Sequence, residues 1–479
     1  MKRFVSVVSI GALAALASGC ALQPAYERPA DAAPAAWPAG PAYAAAGASG
    51  TIPAADTGWQ DFLADPRLRP LVGIALANNQ DLRIALLRVS QARAALQLQR
   101  SAALPQVGVE ASGTRGRSAS TGNTTHTHFA GLAASWEIDL FCRLQSLTEA
   151  AREQYLASAH ARQAAHILLV AQVAEQYLAM QAYDEQLAVT NETLAAARES
   201  YRIVKLQFDT GTVSELDETL ARGTVEQAVA NHAAQQRLRA QAENALVLLL
   251  GQPLPPAGAP DTPLDRQPML AAQFPAIPAG LPSELLLRRP DVLQAEHQLI
   301  AQNANIGAAR AAMFPRISLT ATLGTISTAL SGLFAGGSFT YTGAPAVSLP
   351  LFDGGRLRGG VDAARAQQQA AVSTYERAVQ TAFREVADAL AQRGTIDEQI
   401  SAQTARVESA SVALKISDAR YRAGVESFLT TLDSQRVAYA AQQQLVTTRL
   451  NRESNLVELY RSLGGGTGES GEADRRQTP

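Results

Sequence analysis

Two halves of the sequence repeat each other at a spacing of about 210 residues, and this duplication constrains the fold more than any single motif. Residues of the same type recur in the same order in both halves, although the spacing grows slightly along the chain. The matched pairs are Asp81 and Asp291, Arg100 and Arg310, Pro105 and Pro315, Gly211 and Gly424, Ser214 and Ser427, and Leu250 and Leu463. Each half is therefore expected to fold as a version of one structural unit.

The same elements are predicted in the same order in each half. A short helix without internal proline is followed by two stretches that alternate apolar and polar residues, which indicates strands. A long stretch nearly free of Gly and Pro then ends at a glycine turn, and a return helix follows. The predicted ranges are 80–103, 105–117, 126–140, 143–210 and 212–250 in the first half, and 290–313, 315–327, 339–352, 356–423 and 425–463 in the second.

The stretch 143–210 contains neither Gly nor Pro. At about 1.5 Å per residue it would form a helix about 100 Å long, which exceeds the thickness of a bilayer and the width of a globular core. Its alanine-rich composition favours close packing of such helices side by side, as in a tube outside the membrane. A free-standing coiled coil is the alternative, but it would not need two strand hairpins at matched places.

The N-terminus has the features of an export signal. Lys2 and Arg3 precede the apolar stretch 4–16, and small residues lead to Cys20. This pattern predicts a signal peptide over 1–19. It resembles a bacterial lipobox, in which the cysteine receives diacylglycerol and, after cleavage, an N-palmitoyl chain; Cys20 is then the lipid attachment site. Ordinary secretory cleavage with an incidental cysteine is the alternative.

These features give five predicted regions. They are the signal peptide 1–19, an N-terminal anchor and extended Pro/Ala-rich linker 20–58, a first repeat 59–265, a second repeat 266–463 and a disordered polar tail 464–479.

The number of predicted strands indicates that the chain forms an oligomer. Mean hydropathy is -0.04 and no long apolar run follows the N-terminus, so a bundle of membrane-spanning helices is excluded. Four strands cannot close into a barrel, and an open sheet edge in lipid would leave backbone groups without hydrogen bonds. Outer-membrane barrels begin at about eight strands, so two or three copies are required.

Five segments resemble the TolC-like outer-membrane efflux proteins, in particular the OprM/NodT-type lipoproteins of resistance-nodulation-division (RND) efflux systems. They are spread over nearly the whole mature chain and comprise residues 20–29, 59–68, 76–82, 308–319 and 349–357. The resemblance implies a mixed α and β fold: a trimeric channel with a 12-stranded outer-membrane β-barrel, four strands per chain, continued by a 12-helix periplasmic α-barrel. It selects three copies over two, which the strand count leaves open.

The resemblance also implies function, location and partners. A channel of this family is a homotrimer in the outer membrane. It conducts drugs or other small molecules passively from an inner-membrane RND transporter and its periplasmic adaptor, a membrane fusion protein. Ala21 is not the aspartate that retains lipoproteins at the inner membrane, which agrees with an outer-membrane location, contact with outer-membrane lipid and extension into the periplasm. No cofactor is expected apart from the covalent lipid on Cys20.

A periplasmic gate is expected at the turns that end the long helices. Leu429 and Asp433 are four residues apart and share one helix face; they match the stacked leucine and aspartate rings of the family, and opening would be an iris-like rotation. Asp217 in the first half has two interpretations, a ring residue or an ordinary first-turn aspartate. The helix tips, with the glycine turns and predicted serine caps, resemble the adaptor-docking surface. They contain Gly211, Ser214, Asp217, Gly424 and Ser427.

Other functional classes have little support. A net charge of -2 lacks the basic footprint of a nucleic-acid binder, and two cysteines cannot form a four-ligand zinc site. His126 and His128 form a pair in a predicted loop without a third ligand, and the four other histidines are expected at helix surfaces. The chain is therefore not predicted to be an enzyme. The remaining alternatives are a duct for type I protein secretion and, less favoured, a periplasmic adaptor.

Cys142 departs from the family pattern. It stands at a strand-to-helix junction where Gly355 stands in the second half. An unpaired thiol is expected, either as a tolerated small residue or, less favoured, with a redox role.

Overall fold

The structure is a computed structural model of the 479-residue chain, and it describes residues 22–29, 33–34, 36–43, 57–117, 119–120, 122–254, 274 and 288–465. The signal peptide, Cys20, most of the stretch 255–287 and residues 466–479 of the predicted tail lie outside the described residues.

The helices and strands follow each other in the same order in both halves. In the first half they are α1 (Trp59–Phe62), α2 (Leu68–Asn78), α3 (Gln80–Ser101), β1 (Gln106–Arg117), β2 (Thr124–Ile138), α4 (Arg143–Asp209) and α5 (Glu215–Leu250). In the second they are α6 (Pro290–Ala311), β3 (Arg316–Ser327), β4 (Phe339–Ser348), α7 (Arg356–Arg422) and α8 (Phe428–Ser462). Within the described residues there are also two short 3₁₀ helices, Pro41–Tyr43 and Leu330–Gly332.

Several predicted boundaries need correction. The return helices begin at Glu215 and Phe428 instead of 212 and 425, because a glycine turn and an N-cap serine precede each of them. Strand β4 ends at Ser348 instead of 352, shortly before Pro350, which has no backbone N–H to donate. Residues 464–465 of the predicted tail are buried at the end of α8. Helices α1 and α2 were not predicted.

The four strands form one antiparallel sheet in the order β1-β2-β3-β4. Within the first hairpin Gln106 is opposite Ser135, and within the second Arg316 is opposite Ser348. The halves meet at the pairing of β2 with β3, where Ile138 is opposite Ile317. This leaves β1 and β4 as the two edges of the sheet.

The chain divides into two compact units. The first, called here the sheet unit, contains Leu86–Ala161 and Leu293–Ala378 together with the segment before residue 33. The second, called the helical unit, contains Ala33–Ala85, Arg162–Val292 and Val379–Pro479.

The core of the helical unit draws on both halves of the sequence. Its largest apolar cluster takes residues from α1, α2, α4, α5, α7 and α8. Phe62 of α1 stacks on Tyr460 of α8 with ring centroids 3.9 Å apart. The short helix α1 therefore joins the end of the second half to the start of the first.

The two halves anchor their short helices in equivalent ways within the helical unit. Asn79, just before α3, donates its side-chain amide to the carbonyl oxygen of Leu249 at 2.9 Å. Arg289, just before α6, donates to the carbonyl oxygen of Ser462 at 2.7 Å. In each half a side chain just before the short helix therefore donates a hydrogen bond to a carbonyl oxygen at the end of the return helix. The last carbonyls of a helix need such donors because no helical N–H follows them.

In the sheet unit, the segment after Cys20 lies along α6. Arg28 forms a two-point ion pair with Glu296, with its closest nitrogen-oxygen distance 2.7 Å, and the Tyr26 hydroxyl donates to the same carboxylate. Asn303 donates to the carbonyl oxygen of Pro24. Burial and the Glu296 charge raise the pKa of Tyr26, so its hydroxyl stays protonated and can donate.

Cys142 corrects the expectation of an unpaired thiol, since it is disulfide-bonded. Its backbone φ is +57°, a conformation that residues with a Cβ adopt with strain. Gly355, its counterpart in the second half, has φ of +89°. The glycine preference at this junction therefore comes from a left-handed turn between strand and long helix.

The histidines also differ from expectation. His126 and His128 lie on strand β2, which agrees with the strand predicted over 126–140 and not with the loop expected for this pair. In the sheet unit, His297 contacts the buried Glu153 at 2.6 Å and stacks on His160, so these two rings are half-buried rather than at the surface. His166 is half-buried as well, and burial lowers its pKa.

Across the residues that the structure describes, no group of three or more His, Cys, Asp or Glu side chains could hold a metal ion. None of the helices in this part of the chain combines the length and apolar character that a membrane-spanning helix needs.

Candidate functional site

The candidate site is built on two glycine turns, one after each long helix, both within the helical unit. Gly211 and Gly424 have φ of +74° and +72°. At the first turn, the N–H of Gly211 donates to the Phe208 carbonyl and that of Thr212 to the Gln207 carbonyl. At the second turn, the N–H of Gly424 donates to the Tyr421 carbonyl and that of Val425 to the Arg420 carbonyl. This is the Schellman arrangement, which ends a helix without leaving its last carbonyls unpaired.

The two return helices begin differently. Ser214 caps α5, because its hydroxyl accepts from the Asp217 N–H at 3.2 Å while the Asp217 carboxylate accepts from the Ser214 N–H. This capping box gives Asp217 the role of an N-terminal helix residue. Ser427 occupies the same position before α8 but makes no capping hydrogen bond. Ser427 is therefore the N-cap residue by position, as predicted, but without the hydrogen bond of a cap. Thr430 replaces the aspartate, and the hydroxyls of Ser427 and Thr430 contact each other at 3.2 Å.

An apolar cluster holds the two turns together. Val204 of α4, Ala221 of α5, and Phe428 and Leu432 of α8 form its buried part. Phe428 is only 2% exposed and its ring packs against Tyr421 at the end of α7. The second turn is thus fixed by burial of a phenylalanine rather than by a side-chain cap.

Polar contacts connect helices around this cluster. The Tyr421 hydroxyl donates to Gln207 at 3.0 Å, which joins α7 to α4 across the two halves. The Tyr201 hydroxyl donates to Glu218 at 2.9 Å, which joins α4 to α5. Burial and the Asp217 charge raise the pKa of Tyr421, which keeps its hydroxyl a donor.

The two predicted gate residues lie beside the cluster and are not part of it. Leu429 is 60% exposed, and the side chain of Asp433 is 63% exposed. Arg436 lies 3.6 Å from the Asp433 carboxylate, a contact between exposed groups. Phe428 and Leu432, each one residue before a predicted gate residue, pack into the cluster and hold α8 in place. The side chains of Leu429 and Asp433 therefore lie outside the packed part of the tip.

Sequence reasoning did not single out the interhelical contacts of Tyr421 and Tyr201. Tyr421 occupies the position in the second half that Phe208 occupies in the first. A hydroxyl that is present in only one of the two halves could have indicated a polar contact at this position. The acceptors Gln207 and Glu218 lie on other helices, and no periodicity identifies them. Leu216, the counterpart of Leu429, is also exposed.

Comparison with known proteins gives a consistent result along the whole chain. The family model described as "Outer membrane efflux protein" matches residues 71–252 and 281–465, one match in each half. The chain is 42% identical over 485 aligned residues to the toluene efflux pump outer membrane protein TtgC of Pseudomonas putida, with 99% of each chain covered.

Two solved structures are similar as well. One is a membrane protein from Pseudomonas aeruginosa, with 41% identity and a TM-score of 0.82 over 93% of this chain and 100% of the other. The other is the open state of the MtrE outer membrane channel of Neisseria gonorrhoeae. It has 38% identity and a TM-score of 0.80, over 93% and 98% of the two chains.

Proposed function

Since the chain belongs to the outer membrane efflux protein family, we propose that it is the outer-membrane channel of a tripartite efflux system, which passively conducts drugs or other small molecules. The observation that carries this function is the match to efflux channels in both halves, at 42% identity to a full-length relative. Its family is one of transport proteins rather than enzymes.

The working assembly is a homotrimer that receives its cargo from an inner-membrane RND transporter through a periplasmic adaptor. The exposed turns at Gly211 and Gly424 are the proposed adaptor-docking surface, together with Ser214, Asp217 and Ser427. Each turn is closed by two backbone hydrogen bonds, and both turns pack on one apolar cluster.

The gate of the proposed channel consists of Leu429 and Asp433. In a trimer each exposed side chain would become a ring of three, and an apolar ring above an acidic ring narrows a pore and controls ion passage. Opening by an iris-like rotation would separate the tips, so the Tyr421–Gln207 contact between α7 and α4 would be lost or exchanged.

An accumulation assay tests the function. In the source bacterium with this gene deleted, a fluorescent cationic dye should accumulate several-fold above wild type, and a plasmid copy should restore export. Unchanged dye levels combined with the loss of a secreted protein from the medium would favour type I secretion instead.

Lipid attachment at Cys20 is part of the proposal. Cells grown with labelled palmitate should yield a labelled mature protein, and Cys20→Ser should remove the label. Palmitate labelling that is unchanged in Cys20→Ser would contradict the anchor.

A further inference from the structure

We propose that the outer end of the first strand hairpin binds the phosphate groups of a lipid in the outer leaflet of the outer membrane. Four side chains form this site, called here the basic patch: Arg115 and Arg117 of β1, and His126 and His128 of β2. The inference goes beyond conduction and gating. It rests on the position of the sheet in the outer membrane and not on what passes through the channel.

The four residues of the basic patch share one face of the sheet. In an antiparallel pair, residues that lie opposite each other point to the same face. Arg115 is opposite His126, and Gly113 is opposite His128. A Cβ added to Gly113 would lie 3.4 Å from Nδ1 of His128, so the imidazole ring covers this glycine on that face. Arg117 follows Arg115 by two positions and therefore points the same way.

This face of the sheet is the one that meets lipid. Towards the helices it carries apolar side chains that are exposed in the single chain, namely Val107, Val109, Leu132 and Trp136. Polar residues such as Glu110 and Ser135 alternate with them and point to the other face. An outer-membrane sheet turns its apolar face to lipid and its polar face to the lumen. The basic patch therefore lies on the lipid-facing surface.

The basic patch lies at the level of the outer headgroups. Strands β1 and β2 join helices at one end of the hairpin, and the helices belong to the periplasmic side, so the turn between the strands points outward. Val107 and Arg115 are about 27 Å apart along β1, at about 3.4 Å per residue. With a strand tilt of about 40°, they are about 20 Å apart across the membrane, close to the apolar band of about 25 Å. The face thus changes from apolar to basic where the hydrocarbon ends.

The second hairpin ends differently, so the fold itself does not require cations at this level. By the repeat, Thr325 stands where the first half has Arg115. Phe339 is opposite Thr325 and shares its face with Tyr341, and the two ring centroids are 6.5 Å apart. Exposed aromatic side chains of this kind mark the membrane interface. The second hairpin therefore meets the outer interface with aromatic rings, and the first meets it with cations.

Neither hairpin supplies a carboxylate to neutralise the basic patch. The sequence contains no Asp or Glu between Glu110 and Glu137, nor between Glu296 and Asp353. These intervals include the outer parts of all four strands. The arginines therefore need anions from another molecule. A guanidinium binds two phosphate oxygens at once, and even a neutral imidazole has one N–H to donate.

The occupant is a phosphorylated lipid, because the basic patch continues directly into an apolar surface. A dissolved anion would use the arginines alone. A lipid instead places its phosphate on Arg115 and Arg117 and its acyl chains on Val109 and Leu132, which are exposed beside them. The outer leaflet of an outer membrane consists of a phosphorylated glycolipid anchored by lipid A, so phosphates are present at this level.

Native mass spectrometry of the purified trimer tests the site. The trimer is stripped of lipid, kept in EDTA so that no divalent cation bridges anions, and titrated with diphosphoryl lipid A. We expect saturable binding of one lipid per chain. Replacing all four residues by glutamine should weaken binding by about tenfold or more, since one charge-assisted hydrogen bond contributes a factor of this order. Fully dephosphorylated lipid A should bind the wild-type protein as weakly.

Two control variants separate position from charge. The face-swap variant combines Thr114→Arg with Arg115→Thr and His126→Thr with Thr127→His, so its composition and net charge are unchanged while one arginine and one histidine point to the lumen. It should bind diphosphoryl lipid A more weakly than the wild type. Arg198→Gln with Arg237→Gln removes two exposed arginines from α4 and α5, and its binding should equal that of the wild type.

Several results would overturn the site. They are unchanged binding in the glutamine variant, wild-type binding in the face-swap variant, and equal binding of dephosphorylated lipid A by the wild-type protein, a comparison that needs no variant. Displacement of lipid A by inorganic phosphate at the same concentration would assign the patch to a dissolved anion instead. Single-channel conductance of each preparation separates this inference from the proposed function. A conducting wild-type trimer that does not bind lipid A refutes the site alone, whereas a trimer that neither conducts nor binds refutes both.

Discussion

The two helix tips have the same backbone and different chemistry. Both long helices end in a Schellman turn at a glycine, and both are followed by a serine. The first tip then uses Asp217 to complete a capping box, whereas the second buries Phe428 and leaves Leu429 and Asp433 exposed. The two halves therefore share the backbone of the turn but differ in the side chains at the start of the return helix. In our account the first tip is a rigid support and the second carries the gate.

The largest effect on stability should come from the buried phenylalanine of the second tip. Phe428→Ala removes a ring that is almost fully buried, so we expect a loss of about 3–5 kcal/mol in the local free energy of unfolding. Amide hydrogen exchange of residues 424–434 would measure it. Glu215→Ala is the matched change in the first tip; Glu215 is exposed, so exchange there should barely change. Equal effects at the two tips would contradict the proposed division.

A pH effect should distinguish the return helices. Glu453 is buried in α8, and burial raises its pKa from 4.5 to about 7; the first half has Ala240 at the matching position. The folded protein holds this proton more tightly than the unfolded chain. Stability is therefore retained at low pH and should fall as pH rises from about 4.5 to about 7, by on the order of 3 kcal/mol.

Denaturant unfolding at several pH values checks this sign. Glu453→Gln should flatten the fall over that window, whereas the exposed Glu398→Gln should leave it in place. A wild-type stability that rises between pH 4.5 and 7, with no change in Glu453→Gln, would show that the buried carboxyl does not control the trend.

The smallest effect concerns the helix caps. Asp217→Ala breaks the capping box of α5 and should cost about 1 kcal/mol. Thr430→Ala at the matching position of α8 should cost less than about 0.5 kcal/mol, since Ser427 makes no capping hydrogen bond there. Exchange rates of the first-turn amides of both helices provide the comparison. A larger cost at Thr430 would show that the second tip depends on its hydroxyl pair after all.

Local sequence signals predicted the elements better than their contacts. The absence of Gly and Pro between 143 and 210 indicated one uninterrupted helix, and the structure has α4 over 67 residues there. Gly211 and Gly424 indicated the turns, because a left-handed turn residue is usually a glycine whatever its neighbours are. Ser214 could be predicted as a cap because its hydrogen-bond partner lies only three residues further along the chain.

Contacts between distant segments could not be predicted in this way. Ser427 makes no capping hydrogen bond, and Phe428 beside it packs its ring against Tyr421 of α7. The Tyr421–Gln207 contact joins residues 214 positions apart. The His297–Glu153 contact and the disulfide of Cys142 likewise depend on tertiary packing, which no local period records.

Single-channel conductance in planar bilayers tests the central claim most directly. The purified trimer should show small, rarely open steps. Leu429→Ala with Asp433→Ser should convert them into large, frequent openings, while Leu216→Ala with Asp217→Ser at the first tip should leave conductance unchanged. Wild-type conductance in the second-tip variant, or large openings from the first-tip variant, would contradict the assignment of the gate to the second tip.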